Sequence, residues 1–133
     1  MLFIDTGAFI AKFLPDDQFH SKAVEIWSQL DRKQTKIVTS NFVLDETLTL
    51  LARRSSYAFA AEVAQALYSS EVIKIVRPTL ETELSALTFF EKFSDQKVSF
   101  TDCISFQLMK ENNIKNIFSF DRHFTLAGFD LFS

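Results

Sequence analysis

Hydrophobic and polar positions along this chain switch repeatedly between the spacing of strands and that of helices. Leu2-Phe3-Ile4 is a short, wholly apolar run that stops at Asp5 and is followed by Thr6 and Gly7. Such a run suits a central strand of a parallel sheet covered on both faces. Ala8 to Leu14 reads as a short helix, stopped by Pro15 and the turn-forming pair Asp16-Asp17. From Phe19 to about Lys33 the apolar residues Ala23, Ile26, Trp27 and Leu30 recur at i, i+3, i+4 and i+7, the stripe of a second helix. Arg32, Lys33 and Lys36 form a basic patch of the kind found at a solvated helix end. Ile37-Val38-Thr39 is a second strand, and Ser40 or Asn41 caps a third helix running to about Arg54. Tyr57 to about Ser69 has helical spacing too and completes a helical hairpin. Val72 to Val76, ended by Arg77-Pro78, reads as a third strand. Thr79 to about Phe93 and Thr101 to about Asn112 are helices, Ile117 to Phe120 a fourth strand, and Phe129 to Phe132 a short fifth. The alternation predicts an α/β fold, a three-layer α/β/α sandwich with a mainly parallel sheet.

Composition narrows the class. A chain of 133 residues accommodates one domain with a sizeable core, spanning 1–133, and is too short for two. With 47% hydrophobic residues, disorder is excluded, and the sixteen Phe are read as core packing and an interface. No stretch approaches the ~20 apolar residues of a membrane span. The N-terminus has no basic region followed by a cleavage site. A lone Cys103 excludes an intramolecular disulfide framework and fits a reducing cytoplasm. The net charge of −3 argues against holding nucleic acid by bulk electrostatics. It leaves open an enzyme that does so through metal ions. No repeat, linker or low-complexity segment interrupts the pattern.

Four acids then point to chemistry, each with an ordinary structural alternative. Asp5 ends the first strand, where open α/β sheets place ligands; the alternative is that Asp5 or Thr6 caps the following helix. Glu46 shares a helical stripe with Phe42, Val43 and Leu50, whereas Asp45 falls with Asn41 and Thr49 on a more polar side. An inward glutamate is costly unless it is paired or binds a metal, and the alternative is a buried ion pair with Arg53 or Arg54. Asp102 opens a helix, and Ser99-x-x-Asp102 matches a capping box with Asp in place of Glu. Asp121 closes the fourth strand ahead of a helical turn, repeating the design of Asp5, with an N-cap again the alternative.

The set carries more weight than any member. Two aspartates ending parallel strands share one edge of the sheet, and Glu46 and Asp102 begin elements that return to it. Four carboxylates in one cleft repel one another, and hard divalent cations such as Mg²⁺ or Mn²⁺ resolve that conflict. Paired ions of this kind serve phosphodiester hydrolysis.

Phe3-Ile4-Asp5-Thr6, the Glu46 helix entered through Thr39-Ser40-Asn41-Phe42-Val43-Leu44, Ser99-Phe100-Thr101-Asp102 and Phe118-Ser119-Phe120-Asp121-Arg122-His123-Phe124 together resemble the PIN-domain family. The likeness is greatest to the small toxins of VapBC-type toxin–antitoxin modules. It spans nearly the whole chain, with the four acids in order. The resemblance implies a Mg²⁺- or Mn²⁺-dependent endoribonuclease that leaves a 5′-phosphate and a 3′-hydroxyl. By the same likeness Asp5, Glu46, Asp102 and Asp121 bind the metal, Thr6 lies at the metal site, and Asn41 and Ser99 support the ligands. It further implies a homodimer and a small VapB-like antitoxin that blocks the cleft with a basic side chain.

On this reading Asp5, Glu46 and Asp102 hold one ion that activates a water. Asp121, with Asp5 or Asp102, helps hold a second ion near the leaving 3′ oxygen. Arg53, Arg54 and Arg122 are expected to steady RNA phosphates. Asp95 is an alternative fourth acid. His20 and His123 are read as structural or solvent-exposed, and Cys103 as a small core residue. Two other readings compete. A phosphatase of another α/β fold would show Asp-x-Asp where this chain has Asp5-Thr6-Gly7, and a degenerate PIN-like domain would bind RNA or protein without cutting.

Overall fold

The computed structural model describes residues 1–132. Five parallel strands form one sheet: β1 (Leu2–Ile4), β2 (Ile37–Ser40), β3 (Ile73–Val76), β4 (Asn116–Phe118) and β5 (Asp130–Leu131), in the order β3-β2-β1-β4-β5. All four pairings are parallel, so the mainly parallel sheet expected from the alternation is wholly parallel among the described residues. Leu2, Phe3 and Ile4 are buried, as a central strand covered on both faces requires. Among the described residues seven helices flank the sheet: α1 (Thr6–Phe13), α2 (His20–Arg32), α3 (Asn41–Arg54), α4 (Tyr57–Ser69), α5 (Leu80–Lys92), α6 (Phe100–Glu111) and α7 (His123–Leu126). A 3-10 turn, Ser94–Gln96, leads from α5 towards α6.

Hydroxyl side chains set most helix starts. Ser40 Oγ accepts the Val43 amide at 3.1 Å, Ser56 Oγ that of Phe59 at 3.0 Å, and Thr79 Oγ1 that of Thr82 at 3.2 Å. Each satisfies one of the amides that a helix start leaves unpartnered. Ser40, not Asn41, is therefore the cap of α3.

The core is aromatic around Phe106 of α6. Its ring lies 5.5 Å from Phe89, 5.0 Å from Phe124 and 6.0 Å from Phe129, locking α5, α6, α7 and the approach to β5 together. Trp27 of α2 lies 5.5 Å from Phe9 and from Phe118, and its indole N–H donates to the Ala8 carbonyl at 3.1 Å, binding α2 to α1 and β4. Cys103 is fully buried, and burial pushes its thiol up to about 11, so it is an inert core residue.

The fourth strand is shorter than the expected Ile117–Phe120. Ser119 Oγ accepts the Asp121 amide at 3.0 Å, and this side-chain turn diverts the backbone out of the ladder after Phe118. β3 likewise starts at Ile73, because the Ser70 hydroxyl takes the amides of Val72 and Ile73. Among the described residues no helix is long and apolar enough to cross a membrane.

Candidate metal centre

Parallel strands point their carboxyl ends the same way, so the residues after β1, β2 and β4 gather at one edge. The Asp5 amide donates to Phe118 O at 3.1 Å, carrying the ladder one step past β1 and tying Asp5 to β4. Thr39 Oγ1 donates to Ile4 O at 2.9 Å from the other side. Asp5 is thereby pinned between its neighbours at the centre of the sheet.

A cleft of about 600 Å³ opens at this edge, and Asp5, Glu46, Asp102 and Asp121 all line it. The contacts of each acid decide between its alternative roles. Asp5 occupies the N-cap position of α1, but its side chain makes no capping hydrogen bond. Its Oδ2 instead accepts from Ser119 Oγ at 2.7 Å, and its Oδ1 is buried without a partner. Glu46 is half-buried and forms no salt bridge among the described residues, while Arg54 pairs with Asp17 at 3.3 Å. Asp45 and Thr49 are exposed, as the helical stripe predicts.

Ser99 Oγ accepts the Asp102 amide at 3.1 Å, one arm of a capping box. The Asp102 carboxylate makes no reciprocal bond among the described residues and lines the cleft. Asp121 is the acid that does act locally. Its Oδ1 accepts the His123 amide at 2.9 Å and shapes the turn into α7.

Electrostatics reflect this crowding. Burial, and then the nearby Asp102 charge, push the Asp5 carboxyl up to about 7. Burial, followed by the charges of Asp121 and Glu46, pushes Asp102 up to about 7 as well. Acids raised this far by burial and by neighbours of like charge mark a candidate functional site. The donor set fits a hard divalent cation. It comprises four carboxylates, one with a buried unpartnered oxygen, beside the buried and equally unpartnered Thr6 Oγ1.

The supporting residues separate into those in the cleft and those outside it. Thr6 and Ser99 line it, as do Arg54 and Arg122. Asn41 is half-buried with an unpartnered Oδ1 and is not among the lining residues. Arg53 lies instead on a depression between α3 and α4, with Tyr57 and Ala60. Asp95 is exposed in the 3-10 turn and does not line the cleft.

His20 Nδ1 lies 2.7 Å from Ala11 O and braces α2 against α1. His123, expected to be structural or solvent-exposed, is partly exposed and sits beside the acids. Its Nδ1 is 3.2 Å from Asp121 Oδ1 and 3.6 Å from Asp102 Oδ2, inside the cluster of acids.

Three residues were not foreseen. Ser119 bonds both Asp5 and Asp121, and its Ser-x-Asp spacing is the one local signal that could have found it. Lys97 lines the cleft from a left-handed backbone position, φ 57°, that nothing in its residue type announces. Phe19 stacks on Phe120 at 4.5 Å and walls the cleft from a distant part of the chain.

The description "PIN domain" fits residues 2–130 of this chain. The 23S rRNA-specific endonuclease VapC20 of Mycobacterium tuberculosis is 35% identical over 129 residues, 97% of this chain and 95% of that protein. A VapC ribonuclease of Archaeoglobus fulgidus is 32% identical over 125 residues, 92% of this chain and 78% of that protein. The crystal structure of the mycobacterial VapC20, described as a sarcin–ricin loop cleaving toxin, superposes with a TM-score of 0.89 at 32% identity, over 97% of this chain and 96% of that one. FitAcB from Neisseria gonorrhoeae shares the fold, with a TM-score of 0.68 at 13% identity, covering 100% of this chain and 97% of that chain.

Proposed function

This chain belongs to the PIN-domain family, within it to the VapC type, and from that premise we propose that residues 1–133 act as a metal-dependent endoribonuclease, the toxin of a toxin–antitoxin pair. The observation that carries the reading is the meeting of Asp5, Glu46, Asp102 and Asp121 at one cleft. None of them is neutralised by Lys or Arg among the described residues. Asp5, Glu46, Asp102 and Asp121 hold Mg²⁺ or Mn²⁺, with the Thr6 hydroxyl beside them. A divalent ion bound there supplies Lewis-acid polarisation of the phosphodiester and lowers the pKa of the attacking water. The protein's own part is orientation. Ser119 holds the Asp5 carboxylate by a hydrogen bond, Ser99 sets the start of the Asp102 helix, and the Phe19–Phe120 stack forms one wall. Arg54, Arg122 and Lys97 rim the cleft and steady phosphates of the RNA.

The activity of the mycobacterial relative makes ribosomal RNA the first substrate to test. Purified protein should cut 23S rRNA in Mg²⁺ or Mn²⁺ and stop in chelator. Asp102→Asn should be inactive and, without metal, as stable as wild type or more so, because it deletes one of several mutually repelling charges. Cleavage that persists in chelator, or in Asp102→Asn, would overturn the assignment. The degenerate-domain alternative predicts RNA binding with no cleavage under any ion.

The same reading extends to partners. Leu80, Leu84 and Leu87 of α5 lie exposed at i, i+4 and i+7, a stripe that supports a homodimer. The acidic cleft supports an antitoxin that enters it with a basic side chain. Sedimentation tests the first, and peptide binding that weakens with salt tests the second.

A further inference from the structure

His123 follows the last acid by two residues, and the Asp121 turn determines where it goes. With its amide held by Asp121 Oδ1, the side chain folds back over the acids instead of out from α7. Its Nδ1 comes to 3.2 Å from Asp121 Oδ1 and 3.6 Å from Asp102 Oδ2. The three ligand atoms of Asp102, Asp121 and His123 lie within 4.8 Å of one another.

Those contacts are not hydrogen bonds. His123 Nδ1 is buried and without a hydrogen-bond partner, although two carboxylate oxygens stand close to it. Two ligands adjacent on an octahedral ion, each about 2.1 Å from it, stand about 3 Å apart. The His123 contacts approximate that spacing. The acids do not stand alone in pointing to a ligand here. The nine-tenths-buried Thr6 lines the same cleft with its Oγ1 unpartnered.

We propose that His123 is a metal ligand through Nδ1, completing with Asp102 and Asp121 a mixed nitrogen–oxygen position for a divalent cation. The inference rests on the cleft being a metal site and adds to it a donor of a different kind. Imidazole nitrogen is a softer ligand than carboxylate oxygen, and divalent affinity for nitrogen donors rises along the first transition row. The position should therefore favour Mn²⁺ over Mg²⁺ more strongly than four carboxylates would. Exchange of His123 for an oxygen donor should narrow the difference.

The test uses Mn²⁺ alone as the probe, on the full chain freed of metal by chelator and gel filtration. Electron spin-echo modulation of the Mn²⁺-loaded protein should show ¹⁴N coupling from a directly bound imidazole. His123→Gln keeps the backbone amide that Asp121 holds, and it should lose that coupling. In calorimetric titration the same variant should bind Mn²⁺ about 10- to 100-fold more weakly, while its Mg²⁺ affinity changes by much less. Bound Mn²⁺ with no nitrogen coupling in the wild type, or coupling that survives in His123→Gln, would overturn the role of His123 and leave the metal site standing. Mn²⁺ that stays free in solution would overturn both.

Discussion

Asp5 and Asp121 each follow an apolar strand and precede a helical turn, yet Asp5 is buried and the Asp121 side chain is 41% exposed. Position in the sheet makes the difference. β1 is the central strand, flanked by β2 and β4, so the residue after it is roofed by the segments that leave both neighbours. β4 is bordered on one side by the two-residue β5 and turns away after Phe118, so Asp121 reaches water. One local design thus yields a desolvated acid with an idle oxygen and a solvated acid that shapes a turn. Desolvation raises the cost of an isolated carboxylate charge, so the same residue type carries a different electrostatic cost at the two positions.

Replacing each acid by its amide tests that contrast most severely. Asp5→Asn removes a buried charge that water cannot replace. Loss of several kcal/mol of transition-state stabilisation corresponds to a fall of about 10³-fold in RNA cleavage. Asp121→Asn should cost about 10- to 100-fold, because solvent can take over part of its role. Single-turnover cleavage of one RNA by both variants measures the gap, and equal losses would mean that burial does not rank the acids.

The pH dependence of metal-free stability is the next effect in size. Asp5 and Asp102 both sit at about 7 in the folded protein, against 3.8 for an unperturbed aspartate. Between those values the folded chain binds more protons than the unfolded one. The stabilisation from this pair is therefore fully present below about pH 4 and is lost as pH rises through about 7. The slope approaches about 1.4 kcal/mol per pH unit for each proton involved. Urea melts in chelator from pH 4 to 8 should show this decline, flattened most in Asp5→Asn or Asp102→Asn and less in Asp121→Asn, which removes only one of the charges that raise Asp102. A rise in stability across that window would contradict the crowded-acid picture.

Ser119 joins the two regions, since its hydroxyl donates to Asp5 and accepts from the Asp121 amide. Ser119→Ala strands a buried carboxylate oxygen and an amide together and should cost about 1–3 kcal/mol. It should also push the Asp5 carboxyl further up, because the hydrogen bond it removes favours the charged form. Ser119→Thr, which retains the hydroxyl, should recover most of the loss in the same melts.

The smallest effect concerns the arginines. Arg54→Ala or Arg122→Ala should weaken RNA binding and lower its log-salt slope by about 0.7 for each single-strand phosphate that is no longer neutralised. Arg53→Ala should leave the slope unchanged, because Arg53 lies on the α3–α4 depression away from the cleft. Loss of the exposed Arg54–Asp17 pair should cost at most about 1 kcal/mol of stability.

Periodicity along the chain was enough to read the element order and the parallel sheet, but it misplaced the buried face of α3, which is Val43, Leu44, Thr47 and Leu51 and leaves Phe42, Glu46 and Leu50 only half-buried at its border. Element type is legible because strand and helix spacing are local properties written every two or every three to four residues. The four acids were legible for a related reason: each stands where an apolar run ends or turns inward, and a charge there is costly unless something binds it. Ring placement and rotamer were not legible. Whether Asp5 capped its helix depended on Ser119, 114 residues away in the chain. Whether Arg54 neutralised Glu46 depended on Asp17, 37 residues away. Arg53 and Arg54 are neighbours in sequence, and the 100° step of the helix sends them to different surfaces. Residue type left His123 as structural or solvent-exposed, and only the Asp121 carboxylate, which holds its amide, brought the ring beside the acids. Residue order alone dictated which charges the fold would have to bring together. The packing of sheet and helices then selected which of them lose water, because desolvation is a property of neighbours distant in the chain.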